Sequence, residues 1–149
     1  MHTIELTRRH WLLILTLSLL TFVLGTSEFV IVGILTNISS SLSITNSKAG
    51  TLVSAFAITF AIATPIVMSA TSHLPKRNWM LFLIGAFILL NALCVLATNY
   101  TIFLALRILT AIVTGVLISL AMVVASETIP ERKRSLAISF VFGGFTLAN

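Results

Sequence analysis

Charge is what this chain has least of. Only 9% of its 149 residues are Asp, Glu, Lys or Arg, against 58% hydrophobic residues. A soluble domain of this length needs far more charge to cover its surface, so a bilayer is the expected solvent for most of it. Cysteine is almost missing too. Cys94 stands alone, which excludes an internal disulfide and a thiolate metal cluster, and within an apolar run it reads as a buried structural thiol. The three histidines, His2, His10 and His73, show no ligand spacing, so no metal site is expected. The chain lacks a Gly-rich loop followed by Lys and Ser or Thr, so nothing here binds ATP. It also lacks a Ser/His/Asp or paired-carboxylate arrangement, so neither an enzyme nor a cofactor is expected. The formal net charge of +5 does not point to nucleic acid, because the cations sit in short segments between apolar runs.

What the chain has is apolar length. Runs cover about residues 11–36, 49–70, 79–98, 101–125 and 136–149. The first spans ~26 residues, or roughly 39 Å as a helix, enough to cross a ~30 Å hydrocarbon core with tilt. It is too long for the ~7–15 apolar residues of a signal peptide, and it carries Glu28. A polar stretch over 37–48 and a loop over 71–78 separate the next runs. Asn99 and Tyr100 are barely a turn, which makes the third and fourth helices antiparallel neighbours. The last run, ~14 residues and about 21 Å, falls short of the hydrocarbon thickness. The expected fold is therefore all-α, a polytopic membrane helix bundle. It has four transmembrane helices and a truncated fifth, forming one incomplete domain over residues 1–149.

Orientation follows from the loops. Arg8 and Arg9, Lys76 and Arg77, and Arg132, Lys133 and Arg134 fall on one side, and Lys48 alone on the other. Such an excess of cations marks the cytoplasmic face, which places the amino terminus there.

Two charges break the pattern. Glu28 lies inside the first apolar run and Arg107 inside the fourth. Each costs at least ~2.5–3.5 kcal/mol at membrane depth, so each needs a protein interior or a water-filled cavity to receive it. With the expected helices, Glu28 lies ~8 residues, about 12 Å, from the outer end of the first, and Arg107 ~6 residues, about 9 Å, from that of the fourth. If those helices face one another, the pair neutralises itself or titrates against a substrate cation. A guanidinium stays protonated, whereas a carboxyl group exchanges protons where desolvation favours its neutral form. Glu28 is then the better proton carrier and Arg107 the fixed charge that tunes it. A structural ion pair locking two helices is the other reading. Arg107, Ala111, Gly115 and Ser119 also recur every four residues, forming a stripe suited to close helix packing or to lining a cavity. Pro65 is expected to kink the second helix, and Gly25 and Gly33 flank Glu28 where bending or tight contact is possible.

These residues carry a family resemblance. Gly25-Thr-Ser-Glu-Phe29 is similar to the Gly-Thr-x-Glu-Phe signature of the drug:proton antiporter branch of the major facilitator superfamily. Leu106-Arg107 with Gly115 eight residues on resembles the fourth-helix motif of that family. Ser72-His-Leu-Pro-Lys76-Arg77 occupies the loop of its gating motif, and Phe142-Gly-Gly-Phe-Thr-Leu-Ala-Asn149 looks like the opening of its fifth-helix antiporter motif. The chain thus resembles the amino-terminal third of such a transporter, near the bacterial arabinose and purine efflux permeases.

That resemblance implies several things. The first and fourth helices line a central cavity, and Glu28 and Arg107 couple transport to protons. Ser72, Lys76 and Arg77 belong to the gating loop, although Ser72 stands where the family usually has an acidic residue. The implied partners are a small-molecule substrate (sugar, purine or drug), protons, the lipid bilayer of a bacterial inner membrane, and a missing carboxyl-terminal half. That family has twelve helices in two related halves with the substrate site between them. Other readings are a complete four-helix multidrug transporter working as a dimer, and a non-functional or membrane-assembly protein. The charged 126–135 stretch and the fifth run count against the dimer.

Overall fold

The computed structural model describes residues 7–41 and 43–148. Its elements are α1 (Arg8–Gly33), α2 (Leu35–Ser41), α3 (Asn46–Ala70), α4 (Lys76–Leu96), α5 (Tyr100–Thr128), a 3-10 turn (Glu131–Lys133) and α6 (Arg134–Leu147). Among the described residues every regular element is helical. Four helices, α1, α3, α4 and α5, are long and apolar enough to cross a membrane. Helices satisfy their own backbone groups, which hydrocarbon cannot do, so apolar runs of this length have no other open form in a bilayer. Their outward faces are hydrocarbon: Leu12, Leu15 and Leu19 on α1, and Ile58, Ile62 and Ile66 on α3. Rows repeating every three or four residues share one face of a helix.

The boundaries differ from the sequence reading in a physically explicable way. The first helix stops at Gly33, and α2 occupies residues expected to be a polar loop. There the hydroxyls of Ser39 and Ser40 donate back to the carbonyl of Thr36 at 2.7 and 3.0 Å. Serines that bond to the preceding turn are compatible with helix, so polarity alone misreads this stretch. α3 starts early because Thr45 caps it, accepting from the Lys48 backbone N–H at 3.3 Å. The helix then runs through Pro65 without interruption.

The chain forms two compact units, one of residues 1–29 with 121–149 and one of residues 30–120. In the first, α1 packs on α6. The Trp11 ring meets Phe140 edge-on at 5.9 Å, Thr21 Oγ1 donates to the Val141 carbonyl at 2.6 Å, and the Phe29 ring lies 6.0 Å from Phe145. Partner numbers rise together along both helices, so α1 and α6 run parallel. Their basic leading segments, Arg8 and Arg9 on one and Arg132 to Arg134 before the other, consequently lie at one end of this unit. The seam is made of small residues. A Cβ on Gly144 would fall on the Ser18 carbonyl oxygen, and one on Gly25 would come 2.7 Å from Ala148 Cβ. Close backbone approach through small side chains is how helices associate where lipid removes the hydrophobic drive.

The second unit holds α2, α3, α4 and most of α5. Leu52, Cys94 and Phe103 form its buried apolar cluster, with Ile31, Ile38 and Tyr100 packed around it. The Tyr100 hydroxyl meets Thr51 Oγ1 and lies 3.2 Å from the Lys48 carbonyl, tying the start of α5 to the start of α3. Asn99 caps α5 by accepting from the Thr101 N–H at 2.9 Å.

α5 touches α3 at Gly115, where an added Cβ would strike Thr64 Oγ1 and come 3.3 Å from the Phe60 ring. Gly115→Ala is therefore expected to destabilise the chain by about 1–3 kcal/mol through overpacking. Thr64→Ala removes the struck oxygen and should restore more than half of the loss in a double-mutant cycle of thermal unfolding in detergent. Additive effects would show that the two sites do not touch.

Candidate functional site

Arg107 lies seven residues into α5, about 10 Å along its axis. It is 2% exposed. Nη2 donates to Asn91 Oδ1 at 3.3 Å and to Cys94 Sγ at 3.4 Å, and the guanidinium carbon sits 5.7 Å from the centre of the Phe103 ring. Asn91 and Cys94 are three apart on α4, hence on one face of it. The Asn91 amide is itself oriented, since Nδ2 donates to the Phe87 carbonyl at 2.9 Å. These contacts are dipoles, a polarisable sulfur and a ring face. They orient the guanidinium without adding a charge of their own.

The sequence reading missed Asn91 and assigned Cys94 only a structural place. A signal was available. Asn99 centres the turn between α4 and α5, and positions 91 and 107 each lie eight residues from it. In an antiparallel hairpin such equidistant positions are opposed, and Asn91 is the one amide inside the 79–98 run.

Glu28 sits half-buried on α1, five residues or about 8 Å before the helix ends at Gly33. Gly25, one turn earlier, is buried against Phe145 of α6 and Ala148 just after it, and Phe29 beside Glu28 also meets Phe145. This part of α1 is thereby fixed against α6. Glu28 belongs to the first unit and Arg107 to the second.

On α5, Ala111 and Gly115 are buried and Ser119 is half-buried, with Gly115 in contact with α3. In the loop between α3 and α4, Ser72 and Arg77 are exposed, and half-buried Lys76 opens α4 directly after Pro75. A cation at a helix amino terminus opposes the helix dipole, so Lys76 gains nothing from the dipole of α4.

The family model of the Major Facilitator Superfamily matches residues 17–149. The chain belongs to the Major Facilitator Superfamily. Glu28, Arg107 and the loop with Ser72, Lys76 and Arg77 all fall within the facilitator match. The chain is 36% identical over 130 residues to the uncharacterized MFS-type transporter YbcL of Bacillus subtilis, covering 87% of this chain and 33% of that protein. It is 34% identical to the inner membrane transport protein YdhP of Escherichia coli K12, covering 91% of this chain and 35% of the relative. A third relative, a chloramphenicol resistance protein of Streptomyces lividans, is 31% identical over 84% of this chain and 32% of its own length. The chain thus spans about a third of the length of these relatives.

Proposed function

We propose that this chain is the amino-terminal part of a proton-coupled efflux permease of a bacterial inner membrane. The observation that carries the reading is the buried Arg107, whose Nη2 is held by Asn91 and Cys94 within an apolar helix. A guanidinium so enclosed serves as a fixed charge, and Glu28 is the group that exchanges the proton. The exported molecule is a small sugar, purine or amphipathic drug. The name of the Streptomyces relative supports the last of these. Substrate recognition requires the remaining two thirds of the transporter, because facilitator sites lie between two halves. Ser72, Lys76 and Arg77 form the gating loop on the cytoplasmic side.

Membrane vesicles containing the longer transporter test this reading when loaded separately with chloramphenicol, arabinose and inosine. An acid-outside pH gradient should accelerate the exit of one of the three, and a protonophore should abolish that acceleration. Exit of all three that ignores the gradient would contradict it.

Orientation has its own test in a Cys94→Ala background in intact cells. A membrane-impermeant maleimide should label Asn99→Cys directly and Ser72→Cys only after permeabilisation. The reverse pattern would invert the topology.

A further inference from the structure

We propose that Asn91 is the positioning residue of Arg107, an amide that aims the guanidinium without neutralising it. The inference rests on the coupling role given to Arg107 above. An arginine side chain on a helix has many rotamers, and its charge acts at a defined point only when something fixes the fork. Here α4 supplies the fixing groups. The Phe87 carbonyl takes the Asn91 Nδ2 proton at 2.9 Å, which turns Oδ1 toward α5, where Arg107 Nη2 lies 3.3 Å away. The same Nη2 reaches Cys94 Sγ at 3.4 Å, and the Phe103 ring stands 5.7 Å from the guanidinium carbon.

The choice of amide has a physical meaning. A carboxylate at position 91 would hold the fork equally well, but its charge would cancel that of Arg107. A leucine of similar size would fill the same space and hold nothing. The amide orients the cation and adds no charge of its own beside it.

Cys94 makes the arrangement measurable, because the guanidinium covers the only sulfur thiol of the chain. The 149-residue chain is alkylated with iodoacetamide in detergent micelles over a series of pH values, and rates are compared per thiolate, the reacting form. Arg107→Ala and Asn91→Leu should each raise the alkylation rate of Cys94 by about tenfold or more, since each frees the cover over the sulfur. Asn91→Asp keeps the acceptor and should stay within about threefold of the wild type. A reporter at buried Val116, introduced as Val116→Cys with Cys94→Ala, should be unchanged by Asn91→Leu.

The proposal is overturned if Asn91→Leu reacts like the wild type, or if the leucine and aspartate variants accelerate alike. It is also overturned if the Val116 reporter accelerates together with Cys94, which would mark general loosening of the bundle. The coupling role of Arg107 fails separately. That failure would be the expected alkylation pattern together with proton-driven efflux that persists in an Arg107→Gln transporter.

Discussion

Alanine at Gly144 is expected to destabilise the chain, and alanine at the adjacent Gly143 to leave it as stable or slightly more so. A Cβ on Gly143 meets nothing within 4 Å, whereas one on Gly144 would land on the Ser18 carbonyl oxygen and 2.7 Å from Thr21 Oγ1. A backbone carbonyl in the middle of α1 cannot swing aside as a side chain does. α6 must instead back away from α1, stretching the Thr21 to Val141 hydrogen bond of 2.6 Å. Overpacking of this kind costs about 1–3 kcal/mol. At Gly143 the substitution gains the ordinary preference of a helix for alanine, roughly 0.5–1 kcal/mol. The two variants have the same composition and hydrophobicity, so a difference in thermal midpoint in detergent isolates the seam. Equal midpoints would mean that α1 and α6 do not pack as described.

Glu28→Gln in the longer transporter should lose uphill, proton-driven efflux by about a hundredfold, the scale on which a positioned proton-transfer group contributes. Downhill exchange of labelled for unlabelled substrate should survive. Glutamine keeps the size and hydrogen-bonding capacity of the side chain and removes only its proton chemistry. A purely structural role for Glu28 gives another pattern. Breaking an ion pair that locks two helices lowers thermal stability and reduces both modes of transport together. Measuring exchange, efflux and thermal midpoint on one preparation separates the alternatives.

The broad fold was readable because apolar length is a one-dimensional property. The runs over about residues 11–36 and 79–98 match or exceed the ~30 Å hydrocarbon thickness whatever they pack against, so helices crossing it follow directly. What was missed depended on partners. α2 is helical with Ser39 and Ser40 bonded back to Thr36, an arrangement that composition cannot distinguish from a loop. Arg107 stands out in the sequence because a charge in hydrocarbon is anomalous on its own. Its holders do not, because Asn91 and Cys94 acquire meaning only when the turn at Asn99 sets α4 against α5. Gly25 drew attention as a neighbour of Glu28, and only the fold assigns it to the seam with α6. Residue types that disobey their solvent are visible in sequence, and residues that answer them across a helix pair are not.

Proton exchange at Glu28 is tested most directly by following pH in weakly buffered detergent solution. The purified longer transporter is mixed with whichever of chloramphenicol, arabinose or inosine the vesicle assay identifies. The wild type should release protons as the compound binds, and Glu28→Gln should bind the compound while releasing none. Equal release from the two proteins would assign the coupling proton to another group.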